Sequence, residues 1–406
     1  QGGLPLMTKK NHEYSSREGE VVFTLPASID VESIQGNGER RARIAYVGDM
    51  MTTGMDASHY VRINKDKLRA KISRPAVDDA FDFFRPFIEV DQSYTVGSMS
   101  MGYRWKKAVM DDGLKENYFH APRLKEKVEG ERNQARAEYS TIECGVEESM
   151  ETIDLPIPNI DEVVSRIPPK PKVKSEVHRK VTILSSGMRI QRGEMGLVKT
   201  SPNTGRIFCS INRLSSDLRG LLTLCGERVA ELDLASSQPY FLAMLFKSPA
   251  LREALEKGEF YLRINERMET PADFSNRFEY GEFKLGVLAT LYARPINGRE
   301  YWKVEGNRSG VILAAMDKAF PGIARFLEIY RKTKGDTALS IALQKAESSV
   351  FVGAVLPLLQ KDGVAAVPIH DAILCQSRSQ DVVKMVLEES LFRTTGLNPI
   401  IRSSLD

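Results

Sequence analysis

Residues 367–375 read VPIHDAILC, an apolar run typical of buried β-structure, with His370 and Asp371 at its centre. The run divides into two short strands around a tight turn at these two residues. A buried carboxylate without a partner costs several kcal/mol. The stretch therefore predicts a cation beside Asp371, and this requirement constrains the fold more than any other feature of the chain.

Composition places the chain among ordinary globular proteins. Its 406 residues are 42% hydrophobic and 27% charged, which allows two or three domains with sizeable cores. The net charge of +3 is only a weak indication of a polyanionic partner. The four cysteines are scattered without a C-x-x-C pair, which argues against a zinc knuckle or a disulfide framework and indicates a reducing, intracellular setting. No apolar run approaches the roughly 20 residues that cross a bilayer, so we expect no membrane partner.

A second acidic residue occupies a similar position in a separate strand. The segment RVAELDLA (228–235) predicts a strand that ends near Asp233, and SQPYFLAMLF (237–246) predicts the helix that follows. If the two strands are neighbours, the carboxylates of Asp233 and Asp371 repel each other unless a cation lies between them. Hard oxygen ligands of this kind suit Mg²⁺ or Mn²⁺. Taken singly, each Asp is weak evidence, because an Asp at a strand end is usually an ordinary turn or helix-cap residue.

The remaining patterns predict where other elements lie. Helices are expected at 270–295, either continuous or broken at Gly281, and at 336–363 and 379–396. The first half reads as polar and irregular, with strand-like pieces at 19–25 and 42–48 and an exposed helix near 124–140. The Pro-rich basic stretch at 165–180 predicts a linker. Aromatic and basic residues at 97–107 indicate either a nucleic-acid contact or an exposed strand end.

The expected helix at 270–295 has a distinctive face. Lys284, Leu288 and Tyr292 recur every four residues, and Arg277 lies only about 20° from the same face. Cations followed by an aromatic ring could bind a triphosphate and stack a base. The alternative is an amphipathic surface helix with Tyr292 in the core.

From about residue 200 to 406 the chain resembles the palm and fingers of family A nucleic-acid polymerases. ELDLASSQPY (231–240) resembles their first catalytic motif, and KLGVLATLYA (284–293) resembles the fingers helix that faces the incoming nucleotide. IHDAIL (369–374) resembles the hairpin that bears the second catalytic Asp. NTGRIFCSINRLSS (203–216) is similar to the stretch that contacts primer and template in the minor groove. AFPGI (319–323) and LQKAES (343–348) also fall in the family's order.

This resemblance implies an α+β fold with a right-hand architecture. An antiparallel-sheet palm, helical fingers and a reduced or divergent N-terminal thumb region are expected. The implied regions are 1–185 for the thumb-like part, 186–248 for the first part of the palm, 249–335 for the fingers and 336–406 for the second part of the palm.

The resemblance also implies two-metal nucleotidyl transfer, with two Mg²⁺ ions for which Mn²⁺ could substitute. The catalytic and metal-binding residues would be Asp233, Asp371 and the carbonyl of Leu234. The implied nucleotide-binding residues are Gln238, Arg277, Lys284, Leu288 and Tyr292. The implied contacts to the primer–template duplex are Arg206, Gln344 and His370.

Several positions depart from the family pattern. Gln238 stands where the DNA-synthesising members carry a Glu that blocks the ribose 2′-hydroxyl; its bulk is nearly the same, but its hydrogen bond to Tyr292 is expected to be weaker. Ala372 removes an accessory carboxylate. Tyr280 stands where an Arg is expected, a role that Arg277 could take over, and Leu288 replaces an aromatic residue.

Together these features predict DNA-dependent DNA synthesis from a primer, without proofreading, since no convincing nuclease signature precedes residue 200. The expected partners are a primer–template and dNTPs, or alternatively NTPs, and protein partners are left open. We expect a cytoplasmic location on the nucleoid or a replicon, such as that of a phage or mobile element. An RNA polymerase or primase activity, and a catalytically weak primer–template-binding protein, remain as alternatives.

Overall fold

The computed structural model describes residues 18–54, 60–93, 100–169, 175–292 and 309–405. Its helices and antiparallel sheets are divided between two units. Unit 1 comprises Gln1–Tyr139, Ile153–Leu197 and Arg213–Thr223. Unit 2 comprises Ser140–Thr152, Val198–Asn212 and Leu224–Asp406. This division reflects contacts within the chain, whereas the predicted boundaries at 185, 248 and 335 separate functional regions and stay a prediction.

The α-helices of the described residues are α1 (Gly38–Thr53), α2 (Lys65–Ile72), α3 (Arg74–Phe84), α4 (Lys107–Met110), α5 (Pro122–Arg136), α6 (Thr141–Glu151), α7 (Ile160–Arg166), α8 (Glu176–Gln191), α9 (Ser210–Arg213), α10 (Ser216–Arg219), α11 (Ser237–Leu245), α12 (Pro249–Glu256), α13 (Phe260–Asn265), α14 (Arg277–Tyr292), α15 (Ser309–Ala319), α16 (Ile323–Lys334), α17 (Ala338–Val350), α18 (Leu356–Lys361) and α19 (Gln380–Thr395). A π-helical turn, Phe351–Val355, joins α17 to α18.

The β-strands of the same residues are β1 (Glu20–Pro26), β2 (Val61–Arg62), β3 (Ile88–Asp91), β4 (Gly102–Trp105), β5 (Leu114–His120), β6 (Ile153–Asp154), β7 (Lys199–Thr200), β8 (Ile207–Phe208), β9 (Thr223–Leu224), β10 (Glu227–Leu234), β11 (Ala366–Ile369), β12 (Ala372–Gln376) and β13 (Ile401–Ser403).

Unit 1 contains a hydrophobic core of its own. Strands β1 and β5 pair antiparallel, from Glu20 opposite His120 to Pro26 opposite Leu114, and α1 packs against both. Strands β2, β4 and β3 form a second antiparallel sheet. The strand at 19–25 and the helix near 124–140 are confirmed. The prediction of an irregular first half is wrong, because the apolar residues are divided among short elements that form a core only when they pack together.

The expected strand at 42–48 is also wrong, because these residues lie within α1. The side-chain oxygen of Asn37 accepts a hydrogen bond from the backbone N–H of Arg40 at 3.0 Å and so caps the helix. Ile44, Val47 and Met51 are buried and recur at helical spacing. A seven-residue window is too short to distinguish this spacing from an apolar strand.

The segment 97–107 does not supply the suggested nucleic-acid contact with its aromatic rings, nor is it an exposed strand end. Tyr103 and Trp105 lie on β4 and are 3% and 0% exposed. The Trp105 indole N–H donates to Thr52 Oγ1 at 3.1 Å, and its ring meets Phe84 edge-on at 5.1 Å between centroids. Residues 97–99 of this segment lie outside the described residues. Tyr103 and Trp105 are core residues. Sequence alone does not distinguish aromatic core residues from aromatic residues that contact nucleic acid.

The predicted linker at 165–180 is shorter than expected. Helix α7 continues to Arg166 and α8 begins at Glu176, while 170–174 lie outside the described residues. In α8, His178 Nε2 lies 2.8 Å from the carbonyl oxygen of Trp105, and Val181 is buried. The basic residues at 179 and 180 therefore belong to an amphipathic helix.

The helix expected at 270–295 begins later than predicted. Asp273 Oδ1 accepts from the Ser275 backbone N–H at 2.8 Å, and Asn276 Oδ1 accepts from the Phe278 N–H at 3.0 Å. These local bonds hold the segment before residue 277 in turns. Helix α14 then runs without a break through Gly281. The predicted end before Pro295 lies outside the described residues.

Unit 2 is organised around an antiparallel sheet in which β12 lies between β11 and β10, and β13 pairs with the end of β10. Ile369 of β11 stands opposite Ala372 of β12, so the hairpin predicted around His370 and Asp371 is confirmed, with a two-residue turn. All residues of β11 and β12 are buried. Helix α19 packs against β10 and β12, and α18 packs against β11.

The continuous helical segment Ala338–Lys361 confirms the long helix predicted at 336–363. By length and composition alone it could also cross a membrane, although a buried core helix passes the same test. In unit 2 it packs against α11, α16 and α19 and carries a fully buried acid, Glu347. These contacts are those of a core helix.

Two helical glycines of unit 1 provide a test of its packing. A Cβ at Gly48 of α1 would lie 2.3 Å from Leu25 Cδ2 and 2.8 Å from Phe84 Cζ, whereas a Cβ at Gly130 of α5 meets nothing within 4 Å. We expect Gly130→Ala to increase the free energy of unfolding by up to about 1 kcal/mol through helix propensity, and so to raise the melting temperature. Gly48→Ala should lower it despite the same gain, because the core must move. Thermal unfolding followed by circular dichroism measures both, and equal shifts would contradict this packing.

Candidate active site

The sheet of unit 2 brings the two predicted acids close together, Asp233 on β10 and Asp371 in the turn that leads into the neighbouring strand β12. Asp233 lies near the end of β10, where its register partner on β12 is Ala372, the residue after Asp371. The backbone N–H of Leu234 donates to the carbonyl oxygen of Asp371 at 3.1 Å. The two residues, which are far apart in sequence, are therefore neighbours in the sheet. The role of the Leu234 carbonyl as a metal ligand stays a prediction.

Backbone strain is concentrated at the same place. Among the described non-glycine residues, positive φ angles occur at Ser73, Cys225, Ser236 and His370. His370 (φ 55°) is the first central residue of the hairpin turn that presents Asp371, a position where glycine is usual. Ser236 (φ 56°) lies between the end of β10 and the start of α11. Residues held in this region cost of order 1–3 kcal/mol each and cluster at functional sites.

The electrostatics of the two acids are those of a buried pair of like charges. Burial, reinforced by the nearby Asp371 carboxylate, raises the pKa of Asp233 to about 7, while Lys284 and Arg402 act in the opposite direction. Burial also raises the pKa of Asp371, against the lowering effect of its own backbone N–H, Arg206 and Lys284. The nearby cationic side chains therefore do not fully offset the burial and mutual repulsion of the two carboxylates.

The donor set fits a divalent cation. Within the described residues, no hydrogen bond or ion pair from another side chain satisfies Asp233 or Asp371, and no cluster of three His, Cys, Asp or Glu side chains is present. Mg²⁺ keeps several waters and is usually held by one or two carboxylates together with substrate phosphates. Two half-buried, mutually repelling carboxylates match that pattern, and their ionised forms would be favoured once a cation is bound.

Lys284 faces these acids from α14. It lowers the pKa of both Asp233 and Asp371, so its ammonium lies within their electric field. The same ammonium lies 5.3 Å from the ring centroid of Tyr261 and 5.4 Å from that of Tyr280. Such cation–π contacts fix the direction of a flexible lysine. Tyr261, a buried residue of α13, carried no sequence signal that could have identified it.

A hydrogen-bonded chain connects α14, α11 and α17. The Tyr292 hydroxyl donates to Gln238 Oε1 at 2.5 Å, and Gln238 Nε2 donates to Glu347 Oε2 at 2.5 Å. Burial and the nearby Glu347 raise the pKa of Tyr292, so its hydroxyl stays protonated as a donor. Gln238 and Tyr292 are thus in contact, whereas Glu347 was missed because one acid in an apolar helix looks like a surface residue.

Arg206 is directed towards this buried acid. Its Nη2 lies 2.5 Å from Glu347 Oε1, and the side chains of the pair are 18% and 1% exposed. The Ser237 hydroxyl donates to Glu347 Oε2 at 2.8 Å. Burial raises the pKa of Glu347, while Arg206 and Ser237 stabilise its charged form. The contact of Arg206 with nucleic acid stays a prediction, but an ion pair inside the protein already engages its guanidinium.

The remaining predicted residues are His370, Leu288, Gln344 and Arg277, of which His370 lowers the pKa of Asp371. His370 is exposed, and its ring meets Phe208 of β8 edge-on at 5.9 Å; Phe208 is itself 42% exposed and was not predicted. Leu288 of α14 and Gln344 of α17 are half-buried. Arg277 is exposed at the first residue of α14, and in the described part of the chain no hydrogen bond or ion pair links it to the other site residues. Their roles stay predictions.

Comparisons with known proteins add little to this geometry. No protein-family model and no curated protein sequence matches the chain. Among solved structures, the chain is similar to the POL domain of Pol1 from M. smegmatis in complex with DNA primer-template and dNTP, at 14% identity and a TM-score of 0.42. The match covers 68% of this chain and 65% of that chain. The residue assignments rest on the contacts described above.

The raised pKa of Asp233 predicts a measurable dependence of stability on pH. Because its folded value of about 7 exceeds its ordinary value of 3.8, the folded state holds the proton more tightly, and stability is lost as pH rises from about 4 through 7. At about 1.4 kcal/mol per pKa unit, the loss is at most roughly 4 kcal/mol. Without divalent metal, Asp233→Asn should therefore be more stable than the parent at pH 8 and equal to it near pH 4.

Thermal unfolding in a chelating buffer at the two pH values measures this difference. Asp362→Asn, an exposed acid of the same unit, is the matched control and should behave like the parent at both. An Asp233→Asn variant whose melting temperature follows the parent across the whole range would show that the carboxylate is not buried beside Asp371.

Proposed function

We propose that this protein extends a primer along a DNA template by two-metal-ion nucleotidyl transfer, without proofreading. The observation that carries the proposal is the position of Asp233 on β10 and of Asp371 in the turn before the neighbouring strand β12, with Lys284 near enough to lower the pKa of both. The sequence places these three residues in motifs that resemble those of family A polymerases in the same order.

The proposal gives each region a role. The antiparallel sheet of unit 2 is proposed as the palm, and the helical region that includes α14 as the fingers. The N-terminal region, 1–185, is proposed to serve as a divergent thumb. The whole protein is proposed to act on replicating DNA in the cytoplasm.

Divalent cations, when bound between Asp233 and Asp371, supply charge neutralisation and activation of the primer 3′-hydroxyl. The protein's own residues do the remaining work. The two carboxylates are held by the β10–β12 pairing and the strained hairpin turn, so little motion is needed before reaction. Lys284, oriented by two tyrosine rings, is placed to contact the phosphates of the incoming nucleotide.

Selection of deoxyribonucleotides is assigned to Gln238. Its side chain is half-buried, four residues beyond the end of strand β10 on α11, and is hydrogen-bonded to Tyr292. An amide of this bulk leaves less room for a 2′-hydroxyl than a small residue would. We therefore propose dNTPs as the substrate rather than NTPs.

Primer extension tests the catalytic assignment. With primed template, dNTPs and Mg²⁺, the parent should extend the primer, and Asp233→Asn and Asp371→Asn should each lose at least about a hundredfold in rate, since each removes several kcal/mol of transition-state stabilisation. Asp362→Asn should retain parental activity. Normal extension by both site variants would refute the assignment, and a parent that binds primer–template without extending it would be a binding protein instead.

Replacement of Lys284 by Met tests the phosphate contact, because Met keeps the apolar stem and removes the charge. We expect kcat/KM for dNTPs to fall about ten- to a hundredfold, mainly through KM. Because Lys284 lowers the pKa of both acids, its loss should also move the acidic limb of the pH–rate profile to higher pH. Lys345→Met, at an exposed position of α17, is the control, and equal kinetics for the two variants would contradict this role.

A further inference from the structure

Glu347 is a buried carboxylate that the proposed chemistry does not use directly. Its side chain is 1% exposed, and it lies on α17, away from both catalytic acids in sequence. Three groups approach it: Arg206 Nη2 at 2.5 Å, the Ser237 hydroxyl at 2.8 Å and Gln238 Nε2 at 2.5 Å. An isolated buried charge would be costly, but this one is paired and hydrogen-bonded.

The charge of Glu347 determines which way the Gln238 amide points. A carboxylate only accepts hydrogen bonds, so the amide must turn its NH₂ group towards Glu347 and its oxygen towards Tyr292. The reversed amide would place Oε1 against a carboxylate oxygen and would leave the Tyr292 hydroxyl without an acceptor. A single orientation is therefore strongly favoured.

Resting on the proposed function, we propose that Glu347 is the positioning residue for sugar selection, which locks Gln238 in the orientation that excludes a ribose 2′-hydroxyl. The family pattern has a Glu at position 238. Here the negative charge is instead on Glu347 of α17, which is hydrogen-bonded to Gln238. Arg206 and Ser237 favour the charged form of that carboxylate and hold it in place. Gln238 contacts the sugar, and Glu347 acts through it.

A charge swap separates this role from a merely structural one. Glu347→Gln removes the carboxylate, and Gln238→Glu places two carboxylates against each other. The double variant Gln238→Glu/Glu347→Gln again has one carboxylate and one amide, and its carboxylate, now on α11, accepts from both the Tyr292 hydroxyl and the amide introduced on α17. It restores hydrogen-bond complementarity around the sugar but leaves Arg206 without a charged partner. The double variant should therefore regain selectivity without regaining stability.

The experiment measures kcat/KM for dCTP and for CTP in primer extension by the full chain, together with the melting temperature of each variant. Glu347→Gln should lower the dCTP/CTP preference at least about tenfold, the usual effect of losing a hydrogen bond to a charged group. Gln238→Glu alone should also lower it. The double variant should return to within about threefold of the parent while remaining less stable than it. Ser349→Ala, an exposed position on the same helix, should change neither quantity.

The outcomes are distinct. Parental selectivity in Glu347→Gln, or selectivity that follows the melting temperature across all variants, would overturn the positioning role. If Glu347→Gln does not fold, the comparison of Gln238→Glu with the double variant decides, since only a positioning role predicts rescue by the swap. A parent that incorporates neither dCTP nor CTP would overturn the proposed function itself, and this inference with it.

Discussion

The repulsion between two half-buried carboxylates is the constraint on which the site depends. Asp233 lies on β10, and Asp371 lies in the turn that leads into the neighbouring strand β12, in a sheet whose β11 and β12 residues are all buried. Neither desolvation nor the like charge favours ionisation, and the pKa of Asp233 accordingly rises to about 7. The strained backbone at His370 and Ser236 is held by the surrounding fold. Under the proposed function, bound cations would offset this cost.

Positive charge around this pair is limited and shared. Arg206 lowers the pKa of both Asp371 and Glu347, while Lys284 acts on both aspartates. One guanidinium therefore helps to balance both Asp371 and the carboxylate that accepts a hydrogen bond from Gln238. Because interactions within such a network are not additive, a change at Arg206 should affect both places. Under the proposed function, this would link metal binding to sugar selection.

Sequence reasoning found the groups whose chemistry shows in short patterns. The hairpin around His370 and Asp371 follows from two short apolar runs on either side of a two-residue turn, and the stripe of Lys284 and Tyr292 follows from helical spacing. Sequence reasoning failed where the role of a residue depends on a contact with residues distant in the sequence. Glu347 differs from a surface acid only because Arg206 and Gln238, both more than a hundred positions away in sequence, meet it in the folded chain. The seven-residue piece at 42–48 likewise reads as a strand until the cap at Asn37 is known.

The absence of a third carboxylate is read directly from the sequence. Ala372 stands opposite Asp233 on β12, where a side chain with an oxygen ligand would be well placed. Under the proposed function, a Mg²⁺ ion would have two protein carboxylates here and would take its remaining ligands from water and substrate phosphates. Ala372 would then leave part of the metal coordination to the substrate bound beside Lys284.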